Sequence, residues 1–371
     1  MIEDKMSKYQ INLEEIKNIN NDFLNELRKN YQFFKKVYIV HSLRDYVTFI
    51  NEILLKYCYT NHSKKIRESF VFRGISNFDQ LKPKVLRENS DINEEFIYIK
   101  KFEENACMKL GQFNNPIDLA AAAQHYGVKT RLLDWSYSPY VATLFSLYDD
   151  NKGYYGLVIK NSKFGVVLES LPEKNEKYLT LSQRYANMIL NYEELIKVKN
   201  KIPIDVCKRY ARLNNRNFID YIYDNGTDKK IILENDTKLN IQKIVEFFME
   251  IINKTNIIFD EFEKKDKAIT LTRKCLINDA SIFIKTNFSN ERLRNQRGLF
   301  EIVNIKNFNV ENIFNNSELL LIPQNVRKEI IKYINNVGIN YYTLMDDPMN
   351  CSETINRTVT KNLSFDRLLE Y

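Results

Sequence analysis

Two blocks of short β-prone runs flank a long stretch, residues 161 to 275, that carries mainly helical periodicity. In the first block Val37–Val40, Phe70–Phe72, Leu132–Leu133 and Tyr154–Ile159 alternate with helical repeats. In the second, Ile282–Ile284, Glu301–Val303, Leu319–Ile322 and Ile339–Leu344 do so. Strands and helices bury their apolar faces by packing against one another. The pattern therefore predicts an α+β fold, with a mixed, mostly antiparallel sheet flanked by helices and an inserted helical subdomain. The expected divisions are an N-terminal helical segment over 1–36, a first core part over 37–160, a helix-rich insertion over 161–279, a second core part over 280–345 and a C-terminal tail over 346–371.

Several elements carry their own start and stop signals. Ile16, Ile19, Phe23 and Leu27 recur at helical spacing, which predicts a helix from about 11 to 36. Ser42 followed by Asp45 marks another start. Asn115, Pro116 and Asp118 open a helix that Gly127 can close, and Ala120–Ala123 give it a face of small residues. Ser138-Pro139 opens the next helix. Ile241, Ile244, Val245, Phe248, Ile251 and Ile252 form a helical stripe. Asn225-Gly226 suits a hairpin turn, and Gly338 suits the end of a helix that starts near Asn325.

The chain has 371 residues, a net charge of +7 and a pI near 8.8, a balance that favours anionic partners such as nucleotides or nucleic acid. Its Lys and Arg residues are scattered, without a basic block. The five cysteines are far apart and form no CxxC pair, and only three histidines occur, so neither a disulfide framework nor a metal site is expected. No secretory leader opens the chain and no apolar run is long enough for a membrane, so the expectation is a cytoplasmic protein with no membrane partner.

Three clusters could carry chemistry. Arg73 ends an aromatic run and precedes Gly74, where backbone can approach a ligand closely. Gln124-His125-Tyr126-Gly127 and Thr130-Arg131-Leu132-Leu133-Asp134-Trp135 concentrate polar and aromatic groups around a helix exit. An Arg131–Asp134 pair and a core Trp135 are the structural alternatives there. Gln296 lies in a polar loop before Gly298 and Phe300, where it could bind a ligand or cap a turn.

In this order the clusters resemble the FRG domain family, named for a motif seen here as Phe72-Arg73-Gly74. Its Gln-His-Tyr-Gly, Thr-Arg-Leu-Leu-Asp-Trp and Gln-x-Gly-x-Phe elements appear at Gln124–Gly127, Thr130–Trp135 and Gln296–Phe300. A fainter resemblance is to ADP-ribosyltransferases, which place an Arg at the end of the first core strand and a Glu at a late loop-to-strand junction. It implies NAD as cofactor. Arg73 would hold the pyrophosphate, and Tyr126 or Trp135 would stack on a ring. Gly74, Thr130 and Arg131 would complete the cofactor contacts, and Arg73, His125, Asp134 and Gln296 would form the catalytic set. Gln296 stands where that family has its acid, and neither Glu291 nor Glu301 falls on a family motif. Three readings stay open: an NAD-using ADP-ribosyltransferase-like effector acting as a toxin or in phage defence on a nucleic acid or protein target; a non-catalytic nucleotide or nucleic-acid sensor; and a metal-independent nuclease or hydrolase using His125 and Asp134.

Overall fold

A computed structural model describes residues 6–17, 19, 21–59, 70–87, 94–110, 113, 115–148, 153–161, 166–168, 179–210, 235–253, 260–277, 282–284, 296, 298–306, 308–314, 317–340 and 344. Eight strands form one sheet: β1 (Lys36–Ile39), β2 (Phe70–Ile75), β3 (Leu132–Ser136), β4 (Tyr154–Asn161), β5 (Val166–Leu168), β6 (Ile282–Ile284), β7 (Gly298–Ile302) and β8 (Ser317–Pro323). Their order is β1-β8-β4-β2-β3-β7-β6-β5. Only the outer pairs β1–β8 and β5–β6 are parallel. The rest of the sheet is antiparallel, so the fold is α+β.

Side chains alternate across each strand, and this alternation sorts the core. Phe72, Gly74, Asp134, Ser136, Gly298 and Phe300 point to one face; Val71, Arg73, Ile75, Leu133, Trp135 and Leu299 point to the other. The second face is covered by an N-terminal layer that includes helix α1 (Asp22–Asn30), through Phe23, Leu24, Leu27, Phe78 and Leu81. The first face carries two separate groups of helices. One comprises α2 (Leu43–Tyr59), α5 (Pro139–Ser146) and α9 (Gln324–Asn336), packed through Tyr46, Phe49, Leu144 and Ile330. The other comprises α3 (Glu94–Leu110), α4 (Pro116–His125), α6 (Leu181–Asn200), α7 (Asn235–Asn253) and α8 (Glu261–Ile277). The stripe Ile241, Ile244, Val245, Phe248, Ile251 and Ile252 is buried within that second group.

Local chemistry fixes the two helices that matter most. The Asn115 side chain accepts a hydrogen bond from the Asp118 amide at 2.9 Å, and Pro116 takes the first turn of α4. At the far end Gly127 adopts φ +92°, and the Val128 amide donates back to the Ala123 carbonyl at 2.9 Å. Ser138 caps α5, and Pro139 follows at its first position.

The structure corrects several expectations. The N-terminal helical stretch is broken into Leu13–Ile16 and Asp22–Asn30, because Asn12 and Asn21 each cap a new start with their own side chains. Residues 166–168 pair into the sheet as β5, and the helices of the expected insertion share one cluster with Leu132, Ile284 and Phe300. That segment therefore closes the sheet's own core. Ile339, Asn340 and Leu344 belong to no strand; residues 341–343, the Asn225-Gly226 turn and the tail from 346 lie outside the described residues. Among the described residues no helix is long and apolar enough to cross a membrane.

Gly74 serves packing. A Cβ added there would come within 1.9 Å of the Ala142 carbonyl oxygen and 2.6 Å of the Ser146 amide nitrogen, both backbone atoms of α5. Gly74→Ala must push α5 off the strand. Overpacking of this kind costs about 1–3 kcal/mol or more, and the expected result is a matching loss in urea denaturation. Wild-type stability in that variant would mean that α5 does not rest on β2.

Candidate functional site

Where the two helix groups diverge on the first face, the sheet floor is left open. A cavity of about 290 Å³ lies there, floored by β2, β3 and β7, walled by α4 and α5, and bordered also by Arg73, Gln80 and Arg87 of the other face, where β2 and β3 part. Arg73, His125, Asp134 and Gln296 all line it, so segments more than two hundred positions apart converge on one hollow. Gly74 and Trp135 also border it.

Arg73 is placed by a break in the sheet. β2 and β3 register at one pair only, Phe72 opposite Ser136. Beyond it the Arg73 guanidinium takes over the bonding: Nη1 donates to the Asp134 carbonyl, while Nε and Nη2 donate to the Gln80 carbonyl at 3.2 and 2.8 Å. The side chain is buried, and Nη1 lies 3.9 Å from the Asp134 carboxylate, itself 65% exposed. Burial lowers the Arg73 pKa to about 10, against the pull of the Asp134 carboxylate, so the guanidinium stays charged at neutral pH. Arg87, missed in the sequence reading, lies at the cavity rim and donates from Nη2 to the same Gln80 carbonyl at 3.4 Å. Two guanidiniums thus share one anchor. Arg87 sits on a four-residue helix, Lys84–Arg87, with no motif around it to mark it.

Asp134 is oriented by a relay. The Thr130 hydroxyl donates to the Gln124 side-chain oxygen, and the Gln124 amide donates to the Asp134 carboxylate. Thr130 is fully buried and does not line the cavity, so it acts through Gln124. Gln296 is held twice: its carbonyl accepts from the Ser136 hydroxyl at 2.7 Å, and its Nε2 donates to the Leu344 carbonyl at 3.0 Å.

Of three expected cofactor contacts, Arg131 and Tyr126 fall outside the cavity lining and Trp135 borders it with its ring turned to the core. Arg131 does not pair with Asp134; it is fully buried and donates to Glu95 at 2.6 Å and to Glu193 at 3.0 Å. Glu95 also accepts from the Tyr185 hydroxyl at 2.9 Å, and Lys306 closes the group 2.8 Å from Glu193. The Trp135 ring is 2% exposed; its Nε1 donates to Glu301 at 2.9 Å, and Lys160 bonds the same carboxylate at 2.8 Å. The indole is therefore committed to the core rather than to stacking on a ligand. Tyr126 is 50% exposed but lies outside the cavity lining. Glu301 faces away from the cavity, among Leu299, Trp135 and Lys160. Glu291, Arg294, Asn295 and Arg297 lie outside the described residues. Among the described residues no group of three His, Cys, Asp or Glu side chains is placed to hold a metal.

Fold and site together define an α+β protein with a polar cleft at a strand junction, lined by cations, a carboxylate and an imidazole. Residues 68–154 match the FRG domain family, so the chain carries an FRG domain over that stretch. No curated protein and no solved structure matches it.

Core and cleft charges should separate on mutation. Arg131→Met leaves Glu95 and Glu193 buried without their partner, and breaking such a group costs about 3–5 kcal/mol. Asp134→Asn, at an exposed side chain, should change stability by less than about 1 kcal/mol. Urea denaturation reads both; a large loss in Asp134→Asn with none in Arg131→Met would reverse the assignment. Burial acts to raise the Glu193 pKa, but hydrogen bonds from Lys306 and Arg131 outweigh it and hold the group below its ordinary 4.5. Its contribution is therefore present above that value and lost as pH falls through the lowered folded pKa. Glu193→Gln should be less stable than wild type at neutral pH, with the gap narrowing in acid.

Proposed function

We propose that this protein is an ADP-ribosyltransferase-like enzyme that binds NAD in the cavity, with Asp134 as its acid. The observation that supports the reading is a charge-paired hollow: a strand-end guanidinium 3.9 Å from an exposed carboxylate, with a second guanidinium at the rim. The residues suit the cofactor. Guanidiniums match phosphate oxygens, and about 290 Å³ is near the lower end of small-molecule sites.

In this reading Arg73 and Arg87 hold the phosphates. Arg73 is already fixed by backbone carbonyls, so it meets its ligand preorganised. NAD, when bound, supplies a glycosidic bond to a pyridinium nitrogen, which would leave as neutral nicotinamide and pass its positive charge to the sugar. Asp134, aimed by Thr130 through Gln124, would stabilise the positive charge that grows on the sugar as the bond breaks. Fixed charge of this kind is usually the largest catalytic contribution. His125, at the end of α4 beside Gln124, would take the proton from the acceptor. Gln296 is not a replaced acid: its Nε2 donates to the Leu344 carbonyl, and a carboxylate there would face that oxygen without a proton to offer.

The test is release of labelled nicotinamide from NAD by the full chain, with and without cell extract. Arg73→Ala and Asp134→Asn are each expected to lower it at least about a hundredfold, while Gln296→Glu gains nothing. A folded wild type that releases no nicotinamide overturns the reading. Slowed growth on expression, lost in Arg73→Ala, is the cellular counterpart expected of a toxin or defence effector. The committed amide of Gln296 also favours a second reading, a sensor that binds nucleotides without turnover. Its signature is a ligand-dependent rise in Tm following RT ln(1 + [L]/Kd) with the nucleotide recovered intact.

A further inference from the structure

Around the C-terminal end of α4, next to the cavity, the surface carries a second hollow. It is about 370 Å³ and is lined by Tyr98, Phe102, Val128, Lys101 and Lys129. At its edge the half-exposed Tyr126 ring stacks on Phe102, with centroids 6.0 Å apart and planes at 28°. Its other neighbour is His125, 5.0 Å away edge-on, and His125 lines the cavity. The two hollows are thus joined by one pair of rings.

Cations gather around Tyr126. Lys84 donates to the Gly127 carbonyl at 2.6 Å, which fixes an ammonium beside the ring, and Arg87 on the same short helix reaches the cavity rim. Lys101 and Lys129 line the groove itself. The nearby carboxylates of α3 are engaged: Glu103 accepts from the Leu181 and Ser182 amides, Glu94 from the Tyr98 hydroxyl, and Glu104 lies 3.8 Å from Lys100. An exposed ring backed by a second ring, between lysines, is what successive bases and phosphates of a flexible strand require: stacking for the base and an ammonium for each phosphate.

We infer that this groove binds single-stranded nucleic acid, with one base on Tyr126 and the phosphates along Lys84, Lys101 and Lys129. A base stacked there lies beside His125 at the mouth of the cavity. If the transferase reading holds, the bound strand is the acceptor; binding itself rests on the groove and does not need that reading. The favoured strand is single because an unpaired base offers its face, whereas a duplex keeps its bases stacked on one another.

The experiment is fluorescence anisotropy of a labelled single-stranded oligonucleotide of about a dozen nucleotides, within the site sizes of such grooves, with the full chain and with a duplex of the same sequence. Micromolar binding that weakens with salt is expected, stronger for the single strand. Tyr126→Ala should weaken it about tenfold, and Lys101→Glu with Lys129→Glu should weaken it and flatten its salt dependence. Both variants change surface positions, and circular dichroism and Tm confirm that they fold. Asp134→Asn should bind like wild type even if it has lost nicotinamide release, which separates failure of this inference from failure of the transferase reading. No binding at roughly 100 μM protein, the weak end of non-specific affinity, overturns it. So does Tyr126→Ala affinity equal to wild type, or capture of an acidic peptide in place of the oligonucleotide.

Discussion

The junction of β2 and β3 governs this molecule. The two strands meet at Phe72 and Ser136 and then part, and the guanidinium of Arg73 replaces the missing ladder by bonding the Asp134 carbonyl on one side and the Gln80 carbonyl on the other. A charged group this deeply buried is costly unless every contact is good. The local chain is arranged to supply those contacts. Ser76 and Gln80 bond each other across a tight turn, which presents the Gln80 carbonyl to both Arg73 and Arg87. The opening in the sheet and the cation that borders it are therefore one feature.

The walls follow from small residues. Ala120–Ala123 let α4 pack closely within the helical group that includes α6, and Gly74 lets the backbone of α5 touch β2. Each helix is drawn to its own cluster, and the floor between them stays uncovered. On the opposite face Lys160, Glu301 and Trp135 form a satisfied buried group 2.8–2.9 Å apart, which keeps the sheet rigid beneath the cavity.

Much of this was legible in the residues. The capped helix from Asn115 to Gly127 and most strand runs followed from local signals, whereas the ordered motifs only singled out Arg73, His125, Asp134 and Gln296, which line one cavity. What failed was pairing. Arg131 and Asp134 are three apart, so a local pair was the natural alternative; but Arg131 precedes β3 and enters the helical group of α3 and α6, where it found Glu95 and Glu193 instead. Trp135 and Asp134 differ because neighbours on a strand point to opposite faces: one position turns the side chain from core to cleft. Arg87 was invisible because its role depends on a carbonyl presented by a turn, which no residue type announces. The N-terminal helix broke at Asn12 and Asn21 because a cap is a short-range bond that can override apolar spacing.

The buried group around Arg131 reaches past the stretch that matches the FRG family. Within 68–154 Arg131 has Glu95, but its second carboxylate arrives from position 193 and the ammonium behind that from position 306. Strand pairing is equally open: β7 and β8, which flank β3 and β4, both come from later in the chain. The matched stretch thus holds half of an electrostatic circuit and two complete strands, β2 and β3, of an eight-stranded sheet. A protein that carries it must complete both from its own flanking sequence, so the surrounding chain, rather than the shared motifs, sets how firmly the cleft is held.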